Sequence, residues 1–120
     1  MYFFGNKVNK NYKEAYKWFS KAAEQGHAVA KNNIGVMYKN GYHVNKNINK
    51  ALKYYKKAAK KGCAIAQNNL GDIHSSKNSK YLDYKKAFSF YKRAAKQDYI
   101  KAQYNLGVLY YKGLGVKKDY

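Results

Sequence analysis

A repeat of 36 residues is the feature that most constrains how this chain can fold. The segment Lys50–Gly71 reads KALKYYKKAAKKGCAIAQNNLG, and Lys86–Gly107 reads KAFSFYKRAAKQDYIKAQYNLG. An earlier copy follows the same register, with Ala15, Ala51 and Ala87 in equivalent positions. A fixed period of this size is the signature of a solenoid, in which each unit buries its apolar face only by stacking on its neighbours.

Within each unit, the apolar residues have helical spacing. In the first copy, the residues that step by three and four along one helix face are Ala15, Trp18, Phe19, Ala22 and Ala23. Gly26 and Gly62 each supply a residue that tolerates the left-handed conformation at a helix end, and Asp98 takes this place in the third copy. Because only a short link precedes the next helical stripe, the two helices of a unit should be antiparallel neighbours.

These patterns predict an all-α fold: a right-handed α-solenoid of antiparallel helix pairs in which inner and outer helices alternate. We expect six helices in one array over residues 1–120, at 12–25, 28–40, 48–61, 64–76, 84–97 and 100–112. Asn47, Asp83 and Asp119 are equivalent residues and should cap the outer helices. Neither end has the polar cap typical of solenoids, so the chain is expected to be a segment of a longer array.

The last twenty residues carry a family resemblance. The stretch KAQYNLGVLYYKGLGVKKDY, Lys101–Tyr120, resembles the signature of Sel1-like repeats (SLR), which belong to the tetratricopeptide-like helical superfamily. The resemblance extends over the chain, because the helix that follows this signature in the family carries Lys-Ala, an aromatic pair and Ala-Ala, as in Lys50-Ala51, Tyr54-Tyr55 and Ala58-Ala59. Two loops depart from it, because His43 replaces a glycine and the stretch 77–80 loses both glycines. Tetratricopeptide repeats fit less well, since their period is 34 residues.

The resemblance implies a non-enzymatic adaptor or scaffold in signalling, protein quality control or host interaction. In such superhelices the inner helices line a concave groove, where an asparagine amide can hold the backbone of an extended peptide. The candidate partner-binding residues on the inner helices are Asn33, Asn69, Asn105, Asn32, Asn68 and Tyr104. The alternative for the asparagines is that they belong to the repeat's own pattern and bond a neighbouring helix.

Residues for catalysis or metal binding do not cluster in the sequence. The six carboxylates are spread along the chain, whereas general acid and base catalysis requires two of them in one pocket. His27 and Cys63 are equivalent residues, but two candidate ligands do not make a closed tetrahedral site. Nothing marks a base or an oxyanion donor for Cys63, and no glycine-rich phosphate loop is present. We therefore expect neither a catalytic site nor a metal or other cofactor.

Charge offers a second function. The 25 Lys and Arg against 6 Asp and Glu give a formal net charge of +19, which would attract nucleic acid or acidic surfaces. Arg93 is the only arginine, and lysine supplies unspecific charge rather than base recognition, so a protein or peptide partner is favoured over nucleic acid. An AT-rich coding sequence is an alternative explanation of the lysine count. A third interpretation of the function is a repeat region attached to an enzyme domain outside this chain.

The remaining expectations concern the cellular setting and the oligomeric state. The N-terminal residues lack the pattern of a signal peptide, and no apolar run is long enough to span a membrane. A single cysteine cannot form an internal disulfide. These features predict a cytoplasmic monomer.

Overall fold

A computed structural model describes residues 11–115, which form six α-helices. The helices are α1 (Tyr12–Glu24), α2 (Ala28–Asn40), α3 (Ile48–Lys60), α4 (Ala64–Ser75), α5 (Tyr84–Ala95) and α6 (Ile100–Lys112). Each helix begins at the residue predicted from the sequence, and each ends within two residues of the predicted end. No strand occurs in residues 11–115, so the prediction of an all-α fold with six helices is confirmed.

The helix ends follow from local chemistry. The side chain of Asn47 accepts a hydrogen bond from the backbone N–H of Lys50, and Asp83 accepts from those of Lys85 and Lys86. Asp119 lies outside the described residues. After the outer helices, Gly26 and Gly62 adopt φ values of 90° and 92°, and Asp98 adopts the same left-handed region at 64°.

Each helix packs on the next one along the chain, and α2 also contacts α4. The core between the helices is built largely from small residues. The alanines that are almost fully buried are Ala30, Ala51, Ala58, Ala59, Ala66, Ala87, Ala94 and Ala102. Tyr55, Ile34 and Leu70 are the largest side chains that are fully buried. Alanine lets neighbouring helix backbones approach closely, and the few large side chains fill the space that remains.

A glycine on an inner helix receives a tyrosine from the following outer helix, and this contact occurs twice. A Cβ atom placed on Gly35 of α2 would lie 2.7 Å from Cε1 of Tyr55 in α3. A Cβ atom on Gly71 of α4 would collide with the ring of Tyr91 in α5. Both tyrosines are buried, so each glycine is the socket for an aromatic ring. We call these contacts the glycine sockets, and they set how closely an outer helix lies on the preceding inner helix.

The loops that lead to the outer helices close in the same way despite their different sequences. The backbone N–H of Asn47 donates to the carbonyl of Tyr38 at 2.8 Å, and the equivalent N–H of Asp83 donates to that of His74 at 2.7 Å. His43 adopts φ of 65°, close to the 74° of the equivalent Gly115. The loop between α4 and α5 therefore keeps its closing bond without the family's two glycines.

The repeat positions of five tyrosines predict core residues whose hydroxyls reach solvent: Tyr38, Tyr54, Tyr55, Tyr91 and Tyr110. The structure gives these tyrosines different environments. Tyr55 and Tyr91 are buried, whereas Tyr110 was also expected in the core and is 47% exposed. The hydroxyl of Tyr91, expected to reach solvent, instead donates to Oδ1 of Asp72 at 2.6 Å and lies 2.9 Å from Oγ of Ser75. Burial, followed by the bond to Asp72, raises the pKa of Tyr91 above its ordinary value, so this hydroxyl keeps its proton at neutral pH.

The glycine sockets predict a difference between two glycine substitutions. Gly71→Ala should lower the free energy of unfolding by about 1–3 kcal/mol, because the new methyl group overpacks the socket of Tyr91. Gly107→Ala is the matched control, since a Cβ atom there meets no atom of the described residues within 4 Å, and it should leave stability unchanged or slightly raised. Urea unfolding of the two variants measures both values. Equal effects would contradict this role of the glycine sockets.

Candidate functional site

The inner helices α2, α4 and α6 are joined by pairs of asparagines. The amide nitrogen of Asn69 in α4 donates to the amide oxygen of Asn32 in α2 at 2.9 Å. One unit further, the amide of Asn105 in α6 donates to that of Asn68 in α4 at 3.2 Å. Asn32 and Asn68 are buried, at 2% and 4% exposure. The asparagines therefore stabilise the contact between successive inner helices. This agrees with the alternative interpretation of the sequence, in which they bond a neighbouring helix.

Part of this asparagine row stays accessible. Asn33, Asn69 and Asn105 are each only half-buried. An asparagine amide has two N–H donors and an oxygen with two lone pairs, so the pairing uses only one hydrogen of Asn69 or Asn105. Val29 and Ile65, which lie one turn earlier on α2 and α4, are 43% and 39% exposed. We call this surface, defined by Asn33, Asn69, Asn105, Val29 and Ile65, the inner-helix face.

Tyr104 has a different setting from the other candidate residues. It is equivalent to Asn32 and Asn68, which are covered by the next inner helix along the chain. No inner helix follows α6 in the described part of the chain, and Tyr104 is 73% exposed. Within residues 11–115, Tyr104 therefore lies on a side of α6 that no other helix covers, away from the asparagine row.

A cleft of about 520 Å³ lies where the loop between α4 and α5 meets the start of α3. Its walls come from Lys39 at the end of α2, residues 46–49, Asp72 and Ile73 of α4, and the loop residues 76 and 78–81. Most of the lining area is apolar, and amide, hydroxyl and ammonium groups, including those of Lys39, Lys46 and Lys80, lie among these carbon atoms. We call this cleft the loop cleft, and its lysines can pair with the carboxylate of an acidic side chain whose carbon atoms contact the apolar part of the lining.

The loop cleft is held in shape by Tyr81. The hydroxyl of Tyr81 donates to the side-chain oxygen of Asn49 in α3. The carbonyl of Tyr81 lies 2.8 Å from Nδ1 of the buried His74, whose ring stacks on Phe90 at 5.9 Å between centroids. The cleft was not predicted from the sequence, because its loop is one of the two that depart from the repeat pattern. The loss of both glycines at 77–80 was the only signal of it.

His27 and Cys63 take part in helix starts. Nδ1 of His27 accepts a hydrogen bond from the N–H of Ala30 at 3.1 Å, so this histidine caps α2. Cys63 has the equivalent position before α4 but makes no side-chain capping bond. Within residues 11–115, no three His, Cys, Asp or Glu side chains lie close enough together to hold a metal ion. In the same range, no helix has both the length and the apolar character that crossing a membrane requires.

The fold and the asparagine-paired inner helices define an all-α helical-repeat protein of the solenoid class. A family model for the Sel1 repeat matches residues 1–27, 28–63, 64–99 and 100–120. Since these matches cover the whole chain, the chain belongs to the Sel1 repeat family. Sel1 repeats are generally protein–protein interaction modules and are typically non-catalytic scaffolds.

Two solved structures are similar to this chain. One is c5321, a protective antigen of uropathogenic Escherichia coli strains that displays an SLR fold, with 38% identity and a TM-score of 0.84. The other is a Sel1 repeat protein from Oxalobacter formigenes, with 39% identity and a TM-score of 0.82. The matches cover 97% and 96% of this chain, but only 25% and 47% of those proteins. No curated protein sequence matches the chain.

The asparagine pairs predict that Asn69 contributes to stability. Asn69→Ala should lower the free energy of unfolding by about 1–3 kcal/mol, because it leaves the buried amide oxygen of Asn32 without its donor. Asn33→Ala is the matched control, since Asn33 belongs to neither pair, and it should cost less than about 0.5 kcal/mol. Chemical unfolding of both variants tests this, and equal costs would show that the pair contributes nothing.

Proposed function

We propose that this chain is a non-enzymatic adaptor that binds an extended, acidic segment of a partner protein. The segment lies along the inner-helix face, and one of its acidic side chains enters the loop cleft. The observation that carries the proposal is the position of the loop cleft. Its wall includes Asp72, one turn beyond Asn69 on α4, so the cleft adjoins the asparagine row.

Recognition of the backbone follows from the asparagine amides. An extended peptide presents one N–H and one C=O per residue, and an amide side chain can pair with both. The pairing with Asn32 and Asn68 holds Asn69 and Asn105 in place, so little side-chain entropy is lost when a peptide binds. The exposed Val29 and Ile65 lie beside the asparagines and can contact apolar side chains at alternate positions of the same peptide.

The preference for an acidic segment follows from charge. With a formal net charge of +19, the chain attracts acidic partners over a distance of about a Debye length and raises their association rate. In the loop cleft, Lys39, Lys46 and Lys80 can pair with a carboxylate. Asp72 is the one acidic residue of the lining, and its carboxylate already accepts from Tyr91.

The outer surface supports the alternative of polyanion binding. On α3, the exposed lysines are Lys50, Lys53, Lys56, Lys57 and Lys60. A nucleic acid held by these side chains would bind with little sequence preference, and its affinity would fall steeply with salt. Polyanion binding would use the exposed lysines of the outer helices, whereas peptide binding would use the inner-helix face. Mutations on one of these surfaces can therefore distinguish the two functions.

The first experiment is a pull-down with the full chain at moderate salt, with and without nuclease, read by mass spectrometry. The captured partner is then titrated against variants. Replacing Asn69 and Asn105 together by alanine should weaken binding by roughly tenfold or more, with helicity unchanged by circular dichroism. Lys39→Ala with Lys80→Ala should weaken it as well, because the cleft loses two of its cations.

The matched control replaces Lys57 and Lys60 on α3 by alanine, which removes the same charge from the outer surface. This control should retain most of the affinity. Binding that is lost on nuclease treatment, or that depends on Lys57 and Lys60 rather than on the asparagines, would replace the proposed function with polyanion binding.

A further inference from the structure

Several side-chain oxygens around the loop cleft already accept hydrogen bonds from within the protein. Oδ1 of Asn47 accepts from the backbone N–H of Lys50 at 3.0 Å. Oγ of Ser79 accepts from the N–H of Tyr81 at 3.0 Å, and the amide oxygen of Asn49 accepts from the hydroxyl of the same tyrosine. These bonds shape the cleft through acceptor atoms, so the N–H and O–H donors of Asn47, Asn49 and Ser79 are left for a ligand.

The charges of the lining are unbalanced. Its one carboxylate is that of Asp72, whose Oδ1 accepts from the hydroxyl of the buried Tyr91 at 2.6 Å. Against this carboxylate stand the ammonium groups of Lys39, Lys46 and Lys80, so the lining has a formal charge of +2. A ligand that matches the cleft therefore carries two negative charges and several acceptor oxygens.

We propose that the partner side chain in the loop cleft is a phosphorylated residue, whose phosphoryl oxygens accept from the donors of the lining. This inference rests on the proposed function, because it names the acidic side chain that enters the cleft. A phosphomonoester carries close to two negative charges at neutral pH and has three strong acceptor oxygens. A carboxylate has one charge and two oxygens, so it would neutralise only half of the excess charge.

The donors reach the cleft from three elements of the fold. Lys39 lies at the end of α2, and Asn47 and Asn49 lie at the start of α3. Ser79 and Lys80 belong to the loop between α4 and α5. Because hydrogen bonds to an ionised group are stronger than those between neutral groups, a phosphoryl group that accepts from all three elements is bound better than a group with fewer oxygens.

The apolar part of the lining can contact the carbon atoms that carry the phosphoryl group. Ile48 and Ile73 belong to it, and the ring of Tyr81 has Nζ of Lys80 at 5.3 Å from its centroid. A cleft of about 520 Å³ is large enough for an aromatic ring together with its phosphoryl group. The lining therefore favours a phosphate ester of tyrosine over one of serine or threonine.

The same chemistry distinguishes the loop cleft from the lysines of the outer helices. Each phosphodiester of a nucleic acid carries one negative charge, whereas a phosphomonoester carries close to two. The paired charge and the apolar contacts of the cleft thus suit a monoester at the end of a side chain. A polyanion held by the outer lysines would need neither feature.

Titration of the isotope-labelled, nuclease-treated full chain with small probes, followed by backbone amide chemical shifts, tests the proposal. The probes are the N-acetyl amides of phosphotyrosine, phosphoserine and glutamate. Both phosphorylated probes should shift the amides of residues 46–49 and 76–81, and phosphotyrosine should bind roughly tenfold more tightly than glutamate. Dimethyl phosphate, a diester with one charge, should bind no better than glutamate. Glutamate or the diester binding as tightly as phosphotyrosine, or shifts only in other residues, would overturn the proposal.

Asn49→Asp is the most specific variant for this test. The aspartate keeps an oxygen that accepts from Tyr81, but it replaces the donor amide by a negative charge. It should weaken binding of the phosphotyrosine probe by roughly tenfold or more, with an unchanged circular dichroism spectrum. Gln25→Glu is the matched control, since it makes the same change of charge at the end of α1, and it should bind like the wild type. Lys80→Ala, in an exposed loop position, is a second variant that should weaken binding even if Asn49→Asp folds poorly. Unchanged binding in both cleft variants would contradict the proposal.

Phosphatase treatment of the lysate before the pull-down separates this inference from the proposed function. Loss of the partner after phosphatase treatment supports both. A partner that is captured equally with and without phosphatase, and that depends on Asn69 and Asn105, would retain the proposed function and overturn the phosphorylated residue. If no partner is captured, the proposed function fails, and the probe titration alone decides whether the cleft binds a phosphoryl group.

Discussion

The structure depends on the contact between a glycine of one inner helix and an aromatic ring of the next outer helix. At Gly35 and Gly71 the ring occupies the space where a Cβ atom would be, so the two helices approach more closely than any other residue would allow. The equivalent alanines continue this close approach along each helix pair. Because an isolated pair cannot cover its own apolar face, every unit relies on this contact with its neighbour.

Function can reside only on the surfaces that this stacking leaves uncovered. The contacts between layers bury the small residues together with the rings of Tyr55 and Tyr91, whereas the lysines of the outer helices remain exposed. On the inner helices, asparagine pairing stabilises neighbouring units and keeps part of each amide accessible. The same residues thus serve packing and, in the function proposed above, recognition.

The helices were predictable from the sequence because their determinants are local. Asn47 and Asp83 cap the helices that follow them, and Gly62 ends a helix through its own backbone conformation. The loop cleft and the bond between Tyr91 and Asp72 were not predicted, since both depend on how residues from different helices and an irregular loop come together. Tyr110 was expected in the core from its repeat position, but its burial requires a following layer. Periodicity thus predicted the layers and not the irregular contacts between them.

Hydrogen exchange of the backbone amides, measured at a concentration that keeps the chain monomeric, tests the central claim most directly. If stability arises from stacking between neighbouring units, amides of α3, α4 and α5 should require the largest opening free energy. Those of α1 and α6 should exchange faster, because within residues 11–115 each of these helices has a sequential neighbour on one side only. Equal protection of all six helices, or stronger protection of α1 and α6, would contradict the account.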